Sequence, residues 1–164
     1  MLRTLSIRDF VIVDSLDLEF HSGFTVLTGE TGAGKSILID ALALALGERG
    51  DAAVVRAGCE RADISAEFEI QQLPELVQWL RAAELEGDPG LVLLRRVIDK
   101  SGRSRAFVNG RPATQSQLRE AGEWLVDIHG QHAHQYLLKA DAQRVLLDAH
   151  AGLAPLAAQV AGAY

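Results

Sequence analysis

Apolar and polar residues alternate along several stretches of this chain, which is the pattern of β-strands with one buried face. The alternation is strict from Asp63 to Ile70, where Ile64 and Phe68 lie on one predicted face and polar residues occupy the other. Leu2 to Ile7 and Val11 to Phe20 are also rich in β-branched and apolar residues. We predict strands in all of these stretches, and Asp63 to Ile70 is predicted to be a half-exposed antiparallel strand.

Two further strands and a hairpin are predicted in the middle of the chain. Leu91 to Ile98 and Arg105 to Val108 are apolar runs that flank the polar turn Asp99 to Ser104. Asn109-Gly110 follows at once, and this dipeptide favours the tight turn of a β-hairpin. The sequence therefore predicts an antiparallel β subdomain.

Helical patterns separate these strands. Ile37 to Leu46 is apolar almost all round, which is typical of a helix buried against a sheet. Leu73 to Leu85 has helical periodicity and carries a proline in its first turn. Thr114 and Gln117 have the spacing of a capping box and predict the start of another helix. Strands and helices together indicate an α/β fold.

A phosphate-binding P-loop is the clearest chemical motif in the chain. The apolar run Phe24 to Leu27 is interpreted as the preceding strand, and a predicted helix follows, as the motif requires. The glycines allow successive backbone N–H groups to surround a phosphate. The lysine would reach the β- and γ-phosphates of ATP, and the serine would place its hydroxyl on Mg²⁺. The loop consists of Gly29, Glu30, Thr31, Gly32, Ala33, Gly34, Lys35 and Ser36.

The second carboxylate that nucleotide hydrolysis needs is not evident. Asp127 and Asp148 each follow an apolar run, but neither is followed by glutamate. Asp148 lies in a segment of helical composition. The sequence contains no N-K-x-D motif of a GTPase. The phosphate-binding loop is therefore complete while the catalytic set is not.

Composition and charge exclude several classes of protein. The 164 residues are 48% hydrophobic and 23% charged, as in ordinary folded domains, so disorder is not indicated. No apolar run is long enough for a membrane span, and we expect a cytoplasmic protein with no membrane partner. The formal net charge of −6 argues against a chain built mainly to coat nucleic acid.

Two smaller clusters admit two interpretations each. Basic residues concentrate on the predicted hairpin, where they could contact DNA phosphates or form a solvated strand face, which is the interpretation we favour. A histidine cluster could bind a metal, but it lacks a cysteine or acidic partner at ligand spacing, so we favour a loop beside the nucleotide site. The basic residues are Arg95, Arg96, Lys100, Arg103, Arg105 and Arg111. The histidines are His129, His132 and His134.

Three segments resemble the bacterial DNA-repair family RecN. They are Leu5 to Val13, the P-loop with its flanks from Leu27 to Ala41, and Asp127 to His132. The resemblance extends over essentially the whole chain, and the Glu30-Thr31 pair in the P-loop makes it specific. RecN is SMC-like: its ABC-type ATPase head is split by a long coiled coil. The resemblance therefore implies the N-terminal lobe of a P-loop NTPase head of ABC/SMC type.

The resemblance also implies roles for individual residues. Gln131 matches the Q-loop glutamine, which contacts Mg²⁺ and senses the γ-phosphate. Arg8 and Asp9 would lie near the nucleotide base, and Arg56 matches an arginine that approaches nucleotide or DNA. The signature motif and the Walker B strand of such heads lie in the C-terminal half. This segment alone is accordingly expected to hydrolyse ATP weakly or not at all.

The resemblance finally implies a domain plan and partners. Residues 1–150 would form the N-terminal head lobe, and residues 151–164 would begin a coiled-coil helix that this sequence truncates. The implied partners are the protein's own C-terminal head lobe, a second head in a homodimer, and DNA. The implied function is ATP-driven head engagement in the repair of DNA double-strand breaks, in a nucleoid-associated protein. A self-contained small P-loop kinase and a nucleotide-gated interaction module remain alternatives.

Overall fold

The computed structural model describes residues 1–28, 34–126, 128, 143–144, 147–148 and 150–161. The chain divides into two compact units, Met1–Val126 and Asp127–Tyr164. The first unit contains the sheet and three of the helices, and it includes every part of the candidate site that the structure describes.

A six-stranded sheet forms the first unit, and every neighbouring pair of strands is antiparallel. The strand order is β2-β1-β3-β4-β5-β6, so the only non-sequential neighbours are β1 and β3. The antiparallel subdomain predicted from the alternation is thereby confirmed. The strands are β1 (Leu2–Phe10), β2 (Val13–Glu19), β3 (Arg61–Glu69), β4 (Leu91–Asp99), β5 (Ser104–Val108) and β6 (Arg111–Ala113).

One face of the sheet is apolar and buried. Ile64 lies opposite Ile7 on β1 and opposite Arg96 on β4, and Arg96 lies opposite Ala106 on β5. All four of these side chains are less than 9% exposed. Cross-strand neighbours share a face because side chains alternate along each strand. The register therefore places Arg96 in the middle of an otherwise apolar face.

Two helices contact the sheet. Helix α1 (Lys35–Ala45) contacts β1, β3 and β4, and helix α3 (Gln115–Leu125) contacts β5. The two helices approach each other closely at Gly122, where an added Cβ would lie 2.8 Å from the carbonyl oxygen of Leu46. Glycine at this position lets α3 lie against the end of α1. Helix α2 (Pro74–Ala82) begins at the predicted proline and buries Leu76 and Leu80.

The local turn and cap signals are confirmed. Asn109 and Gly110 both have positive φ angles, 50° and 77°, as the tight turn between β5 and β6 requires. The Thr114 hydroxyl accepts a hydrogen bond from the Gln117 amide, and the Gln117 side chain accepts one from the Thr114 amide. This reciprocal capping box begins α3 at the residue that the sequence indicated.

The described part of the second unit contains one named helix. Helix α4 (Ala154–Ala161) lies within residues 151–164, where the resemblance implies the start of a coiled-coil helix. Residues 143–144, 147–148 and 150 also have helical backbone, whereas residue 128 and residues 151–153 do not. A search of the described part of the chain finds no helix long and apolar enough to cross a membrane.

The strand predicted before the P-loop is wrong for this structure. Residues 24–28 belong to none of the strands, although the following helix forms as expected. Phe24 is fully exposed, and Val26 and Leu27 are 79% and 47% exposed. A strand needs a hydrogen-bonded neighbour, and no strand of the sheet pairs with this segment. The apolar run therefore lies on the surface.

Candidate nucleotide-binding site

The start of α1 has the geometry of an anion site. Gly34 precedes the helix in the left-handed conformation, with φ 83° and ψ 7°, and has no side chain with which to cap the first turn. No acidic residue lies in that turn, and Ser36 is exposed there. The first N–H groups of a helix lack intrahelical partners and carry partial positive charge. This helix end is thus able to receive an anionic group such as a phosphate.

The remainder of the P-loop lies outside the described residues. This applies to Gly29, Glu30, Thr31, Gly32 and Ala33. The backbone of Lys35 is described as the first residue of α1, and Gln131 lies outside the described part of the chain. The structure therefore tests the helical side of the predicted loop, and the roles of these residues remain predictions.

An apolar cavity of about 510 Å³ adjoins the start of α1. The turn and strand that follow β1 contribute Ile12, Val13 and Leu16 to its wall. The opposite wall comprises Val26, Leu27, Thr28, Gly34, Ile37 and Leu38. A cavity of this size and apolar character suits a small organic ligand. Its position places such a ligand beside the helix end that accepts an anion.

Arg8 is engaged in an ion pair between β1 and β2. Its guanidinium donates to both carboxylate oxygens of Asp17, at 2.9 and 2.7 Å, and the Ser6 hydroxyl donates to the same carboxylate. Hydrogen bonding to Asp17 raises the pKa of Arg8. The bonds from Arg8 and then Ser6 lower the pKa of Asp17. The Arg8 side chain is therefore held against the surface of the sheet by a neighbouring strand.

Asp9 and Arg56 are brought together at the end of β1. The Arg56 amide donates to the Asp9 carbonyl at 2.9 Å, and the Arg56 guanidinium donates to Asp14 at 2.6 Å. The Cys59 thiol donates to the Asp9 carboxylate at 3.2 Å. This hydrogen bond, followed by burial, raises the pKa of Cys59 and disfavours its reactive thiolate. The structure thus brings together Asp9, which was predicted near the base, and Arg56, which was predicted to approach nucleotide or DNA, and it places Arg8 in a separate pair.

Of the carboxylates and histidines considered as metal ligands, the structure describes only Asp148. Asp148 has helical backbone, which agrees with the interpretation of its segment as helix and not as the end of a strand. Asp127, His129, His132 and His134 lie outside the described residues. Within the ranges that are described, no group of three or more histidine, cysteine or acidic side chains has the arrangement of a metal site.

Half of the basic residues on the hairpin are paired with neighbouring acids. Arg95 pairs with Asp63 on β3, and its guanidinium lies 5.6 Å from the centroid of the Phe107 ring. Two further ion pairs join Lys100 to Glu60 at 2.6 Å and Arg103 to Asp99 at 3.0 Å. Arg111 donates to the Glu84 carbonyl. The three ion pairs support the interpretation as a solvated strand face, while Arg96, Arg105 and Arg111 have no ion pair among the described residues.

The cavity wall formed by Ile12, Val13 and Leu16 was not anticipated from the sequence. A usable signal was the pair Val11-Ile12 at a hairpin tip, since turns usually carry polar residues or glycine. Both side chains are exposed, at 40% and 69%. Val11 also has a φ of 52°, a conformation that β-branched residues rarely adopt.

Comparison with known proteins adds evidence on the family. The model of the AAA domain family matches residues 4–140. The DNA repair protein RecN of Xylella fastidiosa strain 9a5c is 53% identical over 92% of this chain and 27% of its own length. The DNA repair protein RecN of Vibrio cholerae is 49% identical over 100% of this chain and 29% of its own length. The chain thus spans less than a third of the length of these relatives.

A solved structure shares the fold. It comes from work on ATP-driven dimerization and DNA-stimulated activation of SMC ATPases, and it aligns with a TM-score of 0.63. The alignment covers 89% of this chain and 96% of that chain at 22% identity. The fold is accordingly that of a P-loop ATPase head of the ABC/SMC type, and the resemblance to RecN is confirmed. The chain belongs to the AAA domain family.

Proposed function

We propose that this chain is the ATP-binding part of an SMC-like ATPase that acts in recombinational repair of DNA double-strand breaks. The observation on which the proposal rests is the N-terminus of α1. Gly34 precedes it, its first turn contains no acidic residue, and it lies beside an apolar cavity of about 510 Å³. The triphosphate of ATP would bind at the positively polarised helix end, and its base would occupy the apolar cavity. The similarity to RecN supports the assignment to DNA repair.

The proposal assigns a role to each part of the site. The amides of the loop from Gly29 to Lys35 hold the phosphates, and Lys35 neutralises the β- and γ-phosphate charge. Ser36, exposed in the first turn of α1, is suited to contact Mg²⁺. Gln131 would complete the metal site and sense the γ-phosphate. Mg²⁺ would supply charge neutralisation of the phosphates.

Arg8 and Asp9 are proposed to lie near the nucleotide base, and Arg56 is proposed to approach nucleotide or DNA. Each is already engaged within the chain, by Asp17, Cys59 and Asp14 respectively. Neither they nor their partners line the described cavity. A direct contact of Arg8 or Arg56 with a ligand would require its exposed acidic partner to be exchanged, which costs little for a surface ion pair. Asp9 would have to release the part-buried thiol of Cys59.

The surface run Phe24 to Leu27 is proposed to dock the C-terminal head lobe. Its side chains are exposed, and its backbone pairs with none of the six strands, so it offers an edge for another strand. Residues 1–150 would form the N-terminal lobe, and residues 151–164 would lead into the coiled coil. Dimerisation of two heads and contact with DNA would follow in a cytoplasmic, nucleoid-associated protein.

Steady-state ATP hydrolysis tests the proposal. We expect the chain alone to be nearly silent and to become active when the separate C-terminal lobe is added, with Lys35→Ala abolishing the gain. Turnover by the chain alone at about 1 s⁻¹ or faster, within the usual enzyme range, would instead indicate a self-contained kinase-like enzyme. Nucleotide-dependent association without hydrolysis, even after complementation, would indicate an interaction module.

The docking surface is tested separately. Phe24→Gln is expected to weaken association with the C-terminal lobe, because it places a polar side chain in the proposed contact. Phe24 is fully exposed and does not line the cavity proposed for the base. Trp124→Gln is the control, since Trp124 is another exposed apolar residue, at 44%, and lies on α3. Equal affinities for wild type and Phe24→Gln would place the docking surface elsewhere.

A further inference from the structure

Arg96 is a buried charge with an unsatisfied donor. It is 1% exposed, and it is the only charged side chain in the core of the described residues. Its Nε donates to the Ser104 hydroxyl at 2.5 Å, but its Nη1 has no hydrogen-bond partner among the residues that the structure describes. Burial lowers the pKa of this guanidinium, and the nearby charge of Arg119 lowers it further. Buried donors are almost always paired, so the exception calls for a partner.

A second cavity, of about 490 Å³, provides space for that partner. Arg96 lines it together with Ser104 and Arg105 at the start of β5. Thr114 and Gln115, at the start of α3, form another part of the wall. We call this space the Arg96 cavity. Its described lining contains two arginines and no acidic residue.

The start of α3 adds a second source of positive potential. The helix is 11 residues long, and no acidic residue lies in its first turn. Its capping box satisfies the Gln117 amide, while Gln115 and Ser116 precede that amide as the first two helical residues. Amides in these positions lack intrahelical acceptors. The helix terminus and the buried guanidinium therefore both favour an anion in the same cavity.

We propose that the Arg96 cavity binds a phosphate group at a site distinct from the P-loop. A guanidinium, a hydroxyl and a helix N-terminus are the donors from which proteins build phosphate sites. Two arginines without a carboxylate suit a dianion better than a single carboxylate. The bound oxyanion accepts from Arg96 Nη1, and its charge offsets the mutual repulsion of Arg96 and Arg119.

Thermal unfolding in inorganic phosphate tests this site. The wild-type chain is expected to gain about 5 to 10 °C in Tm when phosphate is about 100 times its Kd. Arg96→Met keeps the side-chain volume but removes the donors, and is expected to lose at least half of that gain. Chloride at equal ionic strength accounts for screening, and binding of phosphate to the P-loop is common to both proteins.

Arg95→Gln is the matched control. Arg95 is the adjacent residue of β4, but it pairs with Asp63 and does not line the cavity. This variant is expected to retain the full phosphate-dependent gain. If Arg96→Met shows the same gain as wild type and Arg95→Gln, the proposed site is wrong.

Two measurements remain decisive if Arg96→Met fails to fold. Arg105→Gln changes an exposed lining residue, and we expect a several-fold loss of phosphate affinity. In wild type labelled with ¹⁵N-arginine, the side-chain resonance of Arg96 should move on titration with phosphate. An unmoved Arg96 resonance together with unchanged affinity in Arg105→Gln would overturn the proposal.

The source of the phosphate is identified with a DNA duplex. A duplex whose affinity falls in Arg96→Met or Arg105→Gln, but not in Arg95→Gln, would assign the site to phosphates of nucleic acid. If duplex affinity is unchanged while the effect of inorganic phosphate depends on Arg96, the ligand is a free phosphate compound. Both results support the site, whereas the absence of any dependence on Arg96 or Arg105 contradicts it.

Discussion

Arg56 donates its backbone N–H to the carbonyl oxygen of Asp9 over 2.9 Å, which ties the segment after the short 3-10 helix (Ala52–Val54) to the end of β1. The adjacent Val11 amide donates to the Val54 carbonyl at 2.8 Å. Together these bonds hold Asp9 and Val11 in left-handed conformations, with φ of 51° and 52°. The tip of the first hairpin, which borders the cavity beside α1, is therefore locally strained.

Val11→Asn is expected to stabilise the chain by about 1 kcal/mol, because asparagine tolerates the left-handed region better than valine. Val11 is 40% exposed, so little apolar contact is lost. The measurement is the Tm by differential scanning calorimetry, with an expected rise of about 2 to 4 °C. Ile12→Asn is the control, since Ile12 is the next residue and has no positive φ. Equal effects of the two variants would contradict the strain argument.

Ser36→Ala is expected to weaken MgATP binding about ten- to hundredfold, because the hydroxyl oxygen proposed to contact Mg²⁺ is lost and a polar contact with a charged group contributes roughly 1.5 to 3 kcal/mol. Binding of ATP in the presence of EDTA should change much less, since no metal is then bound. Isothermal titration calorimetry measures both affinities. Ser116→Ala is a close control, because Ser116 is the second residue of α3 as Ser36 is of α1. A similar loss with and without Mg²⁺ would assign Ser36 to the phosphates.

Asp99 is expected to stabilise the fold at neutral pH and to lose that contribution in acid. The Ser101 hydroxyl, then the amides of Arg103 and Ser101 and the Arg103 charge, hold the pKa of Asp99 at about 2. Because this folded-state pKa lies below the unfolded value of about 3.9, the contribution is present above pH 4. It is lost as the pH falls from about 4 to 2.

Asp99→Asn should therefore flatten the fall of Tm between pH 4 and pH 2 and lower the Tm at neutral pH. Asp88→Asn is the control, since it removes a carboxylate from a loop of the same unit. If both variants follow the wild-type profile in acid, the hydrogen bonds to Asp99 do not contribute to stability.

Gly122→Ala is expected to lower the free energy of unfolding by about 1 to 3 kcal/mol through overpacking. The new Cβ would lie 2.8 Å from the carbonyl oxygen of Leu46 and 3.1 Å from its Cβ, so α1 and α3 must separate. Alanine is ordinarily preferred to glycine inside helices by about 1 kcal/mol, which makes the sign of the effect diagnostic. Urea unfolding measures it, and Glu123→Ala is the control, since it also introduces alanine but at an exposed neighbouring position. A stabilised Gly122→Ala would show that the helices are not in close contact.

Turns and helix caps were predicted correctly from the sequence, because the interactions that form them join residues close together in the chain. The left-handed pair Asn109-Gly110 and the reciprocal cap between Thr114 and Gln117 both depend on residues within four positions of each other. The alternation in β3 predicted its buried face because side chains alternate along any strand. The strand predicted at Phe24 to Leu27 did not form, since pairing depends on a partner strand that local composition does not specify.

The part of the candidate site that depends on local sequence could also be predicted. The P-loop pattern predicted a helix directly after the loop, and α1 forms there, although it begins at Lys35 and not at the predicted Ile37. The cavity wall from Ile12 to Leu16 required knowledge of how the first hairpin lies beside α1. That arrangement follows from contacts between residues more than 20 positions apart.

Short-range periodicity and backbone preference were enough to predict the antiparallel strands, the helices and the hairpin turn, whereas the phosphate-binding loop stays a prediction from its motif. The pairing and burial of the charges depended on the tertiary structure. Arg95 and Lys100 stand in one basic run of the sequence, yet β3 and the residue before it supply Asp63 and Glu60 to neutralise them. Arg96 of the same run is buried with an unpaired Nη1, because strand register turns its side chain toward the core. Charge pairing and burial depend on which distant residues meet, and that is settled by packing of the whole sheet.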